Sequence, residues 1–278
     1  MVALKSEKVN LQSLIGSNVY TIRAPSSNPL RDARSALRRL DTLEGMPLKA
    51  LATKSELAIL HQRYNAGGSG SVTSWHADVV ERILGIATNN IPDRDLPFAE
   101  VKVIPVLPPT NRGRVYVNWP VPKEDTRLCS LNYNDLFHQE FYESSLFHKV
   151  SSVLFVPIVW GEKVSANRSV EDWENMYITK SFLWIPDSEF LSKLKLDYDS
   201  IRQDMMTFAA SLPPKPPARL LTAPLTSGSY LNPRTGGGQN SKAASNFIYN
   251  GNTYRLKKKT WFYPKKYTYE VMQHVLFD

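Results

Sequence analysis

Ile91-Pro-Asp-Arg-Asp-Leu-Pro-Phe-Ala-Glu-Val-Lys-Val-Ile-Pro-Val106 is the stretch on which the fold turns. In an extended strand successive side chains point to opposite faces, so Glu100 and Lys102 share one face while Val101 and Val103 share the other. The neighbours Pro97, Phe98, Ile104, Pro105, Val106 and Leu107 have the character of a core strand, and two opposite charges are unusual among them. With the carboxylate of Asp95 at the edge of the same segment, the set suits a divalent cation with an ammonium close by. Carboxylates give Mg²⁺ hard oxygen ligands while it keeps several of its waters, and a lysine beside them can orient or deprotonate an attacking water. The ammonium also offsets charge that builds on a phosphorane. Phosphodiester hydrolysis is the chemistry that wants this set. A Glu-x-Lys triplet taken singly is equally what an incidental surface pair looks like, so its surroundings decide.

Upstream, Trp75, Val79, Val80, Ile83 and Leu84 recur at helical spacing, which predicts an amphipathic helix over Trp75–Leu84 with Thr73 or Ser74 as N-cap. Glu81 borders its apolar stripe. Residues 1–60 read as helix-rich and basic. Arg31, Arg34, Arg38 and Arg39 lie near helical spacing around Leu37 and Leu40, a pattern that fits a solvated face better than a row of phosphate contacts. The glycine-rich Asn65–Ser71 is no nucleotide-binding loop, because no Gly-Lys-Ser/Thr follows it.

Downstream, Arg112–Trp119 reads as a turn and a strand able to form a hairpin with the central one, and Asn134–Phe147 reads as helix. Ser151–Trp160 is a continuous apolar run suited to a buried strand, and Ser181–Pro186 repeats the pattern. The acidic Val170–Tyr177 between them reads as loop or short helix. Ser188–Leu212 predicts one long helix, ended by Pro213-Pro-Lys-Pro-Pro217. Strands separated by helices make an α/β fold, with a mixed central β-sheet flanked by helices. The expected division is a helix-rich N-terminal segment 1–64, a catalytic core 65–212, and a recognition and C-terminal segment 213–278 packed on that core.

The last segment holds a second informative region. Tyr230-Leu-Asn-Pro-Arg-Thr-Gly-Gly-Gly-Gln-Asn-Ser-Lys-Ala243 carries Arg234, Gln239, Asn240 and Lys242. Arginine pairs with guanine O6 and N7, and Asn or Gln with adenine N6 and N7, so a base-reading loop has this content, and glycines let backbone approach DNA closely. A flexible linker has a similar composition. Beyond it, Tyr254–Tyr267 interleaves basic residues, Lys265 among them, with aromatics, as phosphate contacts with ring packing would.

Bulk properties agree. The chain has 278 residues and 42% hydrophobic content, enough for one large core or two small ones. A net charge of +8 favours a polyanionic partner. The single Cys129 excludes an internal disulfide and a cysteine-based zinc site. No apolar run approaches the roughly 20 residues that cross a bilayer. Met1-Val-Ala-Leu-Lys5 is not a signal peptide, so no membrane association and a reducing cytoplasm are expected.

Five stretches in one order, across roughly residues 65–277, carry a resemblance: Glu81-Arg-Ile-Leu-Gly85; Asp95-Leu-Pro97 with Glu100-Val-Lys-Val-Ile-Pro105; His148-Lys149 before Val153-Leu-Phe-Val-Pro-Ile158; Tyr230-Leu-Asn-Pro-Arg234 with Asn240-Ser-Lys-Ala243; and Phe262-Tyr-Pro-Lys-Lys266. Together they resemble the family of the MutH mismatch-repair nickase and its restriction-endonuclease relatives, in the PD-(D/E)xK nuclease superfamily. The resemblance implies a restriction-endonuclease-like core acting on double-stranded DNA with Mg²⁺. It implies Asp95 and Glu100 as metal ligands, Lys102 acting on the nucleophilic water, Glu81 assisting from its helix, and Lys149 at the scissile phosphate or active site. Arg234 and Lys242 would read bases or flanking phosphates, with Tyr263 near the recognition site.

Four residues separate Asp95 from Glu100, fewer than in the nickase; Asp93, after Pro92, offers a longer spacing, while the Asp-hydrophobic-Pro context favours Asp95. Gly236–Gly238 replaces a Pro/Ala-rich tract of the family, so a GATC-type site is not simply inherited. The expected function is a sequence-specific, Mg²⁺-dependent endonuclease of the type II restriction kind, monomeric without DNA. The alternatives are a MutH-type nicking endonuclease that depends on a repair partner, and a nuclease-like module that binds DNA without cutting it.

Overall fold

The computed structural model describes residues 29–67, 72–86, 94–107, 121–160, 169–235 and 243–277. In chain order the elements are α1 (Pro29–Asp41), α2 (Leu48–Leu51), α3 (Lys54–Gly67), α4 (Trp75–Leu84), β1 (Glu100–Leu107), β2 (Val121–Pro122), β3 (Thr126–Ser130), α5 (Tyr133–His138), α6 (Ser145–Val150) and β4 (Val153–Val159). After these come α7 (Val170–Glu174), β5 (Tyr177–Ile178), β6 (Phe182–Trp184), α8 (Ser188–Ala210), β7 (Asn232–Thr235), β8 (Ala244–Tyr249), β9 (Asn252–Lys257), β10 (Lys259–Tyr263) and α9 (Lys265–Phe277). The fold is mixed α/β with helices flanking a central sheet, as expected. Among the described residues no helix is long and apolar enough to cross a membrane.

Two compact units divide the chain: Met1–Lys123 with Leu154–Leu183, and Glu124–Val153 with Trp184–Asp278. The expected boundaries at 64/65 and 212/213 each fall inside one of these units. The physical reason differs at the two places. Ala33, Leu40, Leu48 and Leu60 from α1–α3 pack into the same core as Val101 of β1 and Leu154, Val156 and Ile158 of β4, so the N-terminal helices cannot be cut from the sheet. In the second unit β3 pairs antiparallel with β10, joining Thr126 to Tyr263, which lie far apart in sequence.

The first unit is built on a sheet with strand order β2-β1-β4-β5, to which β6 adds by pairing with β4. Val153-Leu-Phe-Val-Pro-Ile-Val159 is buried along its whole length because β4 has a strand on each side and cover on its faces, and its apolar run without alternation is what such a position demands. Beside it, β1 alternates more: Val101, Ile104 and Val106 are buried while Lys102 and Val103 are partly exposed. Its antiparallel partner is β2, with Val106 opposite Pro122. The expected hairpin strand Arg112–Trp119 lies outside the described residues. On α4, Trp75, Val79, Val80 and Leu84 are buried as the spacing predicts, and Trp75 Nε1 donates to the carbonyl of Glu56 at 2.9 Å. Ser74 precedes this helix but makes no side-chain cap, and its backbone is already helical, which leaves its hydroxyl badly placed for the task. In α1, Arg34 and Arg38 are exposed, whereas Arg39 turns in and donates to the carbonyl of Ile83 at 2.7 Å.

In the second unit, β3-β10-β7 form an antiparallel sheet and β8-β9 a separate hairpin. Helix α8 buries Phe190, Leu194, Tyr198, Ile201, Met205 and Ala209, a stripe at steps of three and four. Asp187 caps it by accepting from Phe190 N at 2.9 Å, and Pro213 follows its end. From the middle of α8 the Asp197 carboxylate accepts from Tyr230 N at 2.5 Å and Leu231 N at 2.9 Å, fixing the segment that leads to Arg234. Gly228 is needed for this, since a Cβ there would stand 2.2 Å from that carboxyl carbon.

Candidate active site

Helix α4 ends in a tight left-handed cap. Gly85 has φ +73°, its N–H donates to the carbonyl of Arg82 at 2.9 Å, and Ile86 N donates to the carbonyl of Glu81 at 2.9 Å. That paired pattern needs a residue free to enter the left-handed region, hence glycine at the end of Glu81-Arg-Ile-Leu-Gly85. Glu81 sits in the last turn, where a carboxylate opposes the helix dipole, so helix stability gives no reason for it to be there. Arg82 leaves the site, donating to Glu56 Oε1 at 2.7 Å and to the carbonyl of Leu51 at 2.6 Å.

Between α4 and β1 the chain makes a four-residue turn. Leu96 N donates to the carbonyl of Ala99 at 3.0 Å and Ala99 N returns a bond to Leu96 at 3.2 Å, with Pro97 at the second position, where its fixed φ fits. The turn folds Asp95 back over the start of β1, and its Oδ2 accepts from Val101 N at 2.9 Å. The short gap between Asp95 and Glu100 is thereby closed: the two carboxylates reach the same end of one strand despite few intervening residues. Asp93, the other candidate, lies outside the described residues.

Glu100 opens β1 and is buried, at 3% exposure. Lys102, on the same face, places Nζ 2.7 Å from Glu100 Oε1. A buried carboxylate requires such a partner, because an unpaired one is costly to desolvate. Burial raises the pKa of Glu81 above its ordinary value, and the Asp95, Asp78 and Glu100 carboxylates push it further up, with Lys102 opposing them. Glu81, Asp95, Glu100 and Lys102 thus feel one another in a single cluster within the first unit. Among the described residues no group of three or more potential ligands is close enough to hold a metal ion by itself. The donor set still suits a hard cation: two carboxylates at one strand end and a third held against like charges, which a divalent ion would relieve.

Residues 84–197 match the family model described as DNA mismatch repair enzyme MutH. Over that span the chain is similar to the MutH-like nucleases. No curated protein matches it. The matched span carries Asp95, Glu100, Lys102 and Lys149, while Glu81 lies just before it and the Arg234 region beyond it. The match supports a DNA endonuclease of the mismatch-repair or restriction type, on the PD-(D/E)xK fold.

The remaining expected residues of this MutH-like chain belong to the second unit. Lys149 is partly buried on α6, next to exposed His148. Arg234 is exposed on β7, and its Nη2 lies 2.5 Å from Asp125 Oδ2. Asp125 Oδ1 accepts from Lys265 N at 2.8 Å, so this one carboxylate brings Arg234 to the start of α9, where the Lys265 side chain is exposed. With its amide nitrogen toward Ser227 Oγ at 2.7 Å, Asn232 turns its oxygen to Arg234 Nε and Nη2 at 3.0 and 2.8 Å. Asn240 and Lys242 lie outside the described residues.

Tyr263, expected near the recognition site, is buried in the second unit. Its side chain is 0% exposed, its ring centroid stands 4.8 Å from that of Tyr267, and burial holds its hydroxyl well above its ordinary pKa. On β10 it shares a face with buried Trp261, so alternation turns it into the core rather than toward a duplex. Sequence reasoning passed over Asp125, for which no local signal exists. It also passed over a signal that was present: from Met205 to Tyr269 there are ten Lys and Arg residues and no Asp or Glu.

Proposed function

We propose that the protein is a sequence-specific, Mg²⁺-dependent endonuclease that hydrolyses phosphodiester bonds in duplex DNA, of the type II restriction kind. The single observation that carries this is the Glu100–Lys102 pair at 2.7 Å with Asp95 folded back onto the same strand end. Asp95 and Glu100 would hold the divalent cation, which when bound supplies Lewis acidity and offsets charge on the phosphate.

The chain's own groups do the rest. Lys102 Nζ donates hydrogen bonds, so it orients the attacking water and lies where negative charge grows on the phosphoryl oxygens. Glu100 fixes the rotamer of Lys102 through Oε1. Glu81, with its raised pKa, is suited to take up a proton released near the site. Arg234, held by Asp125 and Asn232, presents a preoriented guanidinium of the kind that pairs bidentately with guanine. We place the protein in the cytoplasm as a monomer in the absence of DNA.

One observation favours a second reading, a nicking endonuclease of mismatch repair: the matched family model bears that description. Such an enzyme would depend on a partner that recognises the mismatch. The test is incubation of the purified protein with supercoiled unmethylated plasmid and Mg²⁺, resolved on a gel. Discrete linear fragments support the restriction reading. Open circles without linear product, or cutting that needs a mismatch-recognition protein, support the nickase. Binding without cutting in Mg²⁺ and in Mn²⁺, both with and without a mismatch-recognition protein, overturns both.

A further inference from the structure

The hairpin of β8 and β9 has two unlike faces. Phe247, Tyr254 and Leu256 point inward and are buried, with the Phe247 ring centroid 5.5 Å from that of Phe137. The opposite face sets Asn246 against Arg255, Ile248 against Thr253 and Ala244 against Lys257. Asn246 and Arg255 are exposed, and Ile248 is 56% exposed. A two-stranded hairpin by itself is marginal in water. This one is held along both strands. Asn134 Oδ1 accepts from Ile248 N at 2.9 Å, and Asn134 Nδ2 donates to the carbonyl of Asn246 at 3.3 Å. On the other side Leu221 N donates to the carbonyl of Arg255 at 2.9 Å, and Lys257 N donates to Leu221 at 2.8 Å. Those bonds occupy backbone groups that would otherwise invite strand addition, so what the hairpin offers a partner is its side-chain face.

We infer that the outer face of the β8–β9 hairpin is a major-groove reading surface for duplex DNA, with Asn246 and Arg255 reading base edges and Ile248 packing against a thymine methyl. A two-stranded ribbon fits the major groove, where Arg pairs with guanine O6 and N7, Asn with adenine N6 and N7, and apolar groups touch the thymine methyl. Asn246 and Arg255 are cross-strand neighbours, about 5 Å apart at Cβ, close enough to address adjacent base pairs. Charge complementarity points to a nucleic acid, since Met205–Tyr269 has ten basic residues and no acidic one.

Connectivity ties the ribbon to Arg234. Thr235, at the end of β7, pairs with Lys259, and Lys258 N donates to the carbonyl of Ala243 at 2.8 Å. The strand carrying Arg234 therefore ends, and the ribbon begins, at adjoining positions of the strand that leads into β10. The inference rests on the endonuclease reading and adds to it a second reading element.

The test uses the full chain, a pool of short randomised duplexes and Ca²⁺ to allow binding without cutting. Bound duplexes are sequenced for the wild type, for the Asn246→Ala/Arg255→Ala double variant, for Arg255→Lys, for Ile248→Ser and for Arg234→Ala. All changes on the hairpin are at exposed positions, and unchanged melting curves confirm folding. The expected result is a motif enriched by the wild type in which the double variant loses preference at one or two positions and binds at least about tenfold more weakly. Arg255→Lys keeps most of the affinity and loses the preference, because a point charge lacks the planar fork. If the hairpin variants enrich the wild-type motif unchanged while Arg234→Ala alters it, the inference is overturned and the endonuclease reading stands. If the wild type enriches nothing and binds no duplex, both fall.

Discussion

Lys102 and Glu100 stand two residues apart on β1 and meet at 2.7 Å, with side-chain exposures of only 15% and 4%. Lys102→Ala should lower cleavage by at least about a hundredfold, the scale of a lost group acting on the nucleophile, and leave duplex affinity within about threefold. Plasmid cleavage rates beside Ca²⁺-supported binding check this, and equal loss of both would reject the role. The variant should also be less stable by about 1–3 kcal/mol without divalent cation, since Glu100 is left buried without its ammonium.

Glu81 has the opposite problem, a carboxylate pressed by burial and by Asp95, Asp78 and Glu100. A carboxyl whose folded pKa is raised binds protons more readily folded than unfolded, so it costs no stability below its ordinary pKa of 4.5 and costs progressively more as pH rises through the folded value. Glu81→Gln should therefore raise the melting temperature of the metal-free protein at neutral pH, with the gain fading in acid, and should slow cleavage. Thermal scans across pH read the sign directly.

Arg234 is held by Asp125, and the pair is half-exposed on the arginine side. Its contribution to stability should be at most about 1 kcal/mol. Arg234→Ala should instead relax or weaken sequence choice. Asp125→Asn should blur specificity while leaving the salt dependence of binding unchanged, because the positive charge remains but its orientation is lost. Cleavage of a substrate library by each variant separates these outcomes.

His76 is buried on α4, stacked on Trp173 at a centroid distance of 6.1 Å, with Nδ1 lacking a hydrogen-bond partner among the described residues. Desolvation, helped by Lys123, lowers its pKa from 6.5 to about 4. A depressed histidine contributes stability that is present above pH 6.5 and is lost as pH falls toward 4, because the unfolded chain takes up the proton first. By pH 4 the loss should reach about 3 kcal/mol. His76→Phe should flatten that part of the profile in urea titrations run across the window; an unchanged slope would show that other groups govern it.

The local elements were legible because each rested on a pattern of near neighbours. Helical spacing marked α4 and α8, an unbroken apolar run marked β4, and Pro213 marked where α8 must stop. The candidate cluster was legible for a related reason: Glu100 and Lys102 meet through the two-residue period of a strand, and Asp95 reaches them through a turn that Leu96-Pro-Phe-Ala99 encodes. Ser74 failed as a cap because a hydroxyl type does not fix its backbone angle. The burial of Tyr263 was not legible, because an aromatic between basic residues looks alike whether it faces solvent or the core.

The sequence by itself determined which residues are candidates for the chemistry, since carboxylate, ammonium and guanidinium properties follow from residue type and their grouping from short-range spacing. The tertiary structure decided what those residues belong to. It joined α1–α3 to the sheet through Leu40, Leu48 and Leu60, and it paired Thr126 with Tyr263. It also set Asp125 between Arg234 and Lys265. Each of these depends on burial of apolar surface or on pairing across long loops, and such contacts leave no trace in the spacing of nearby residues.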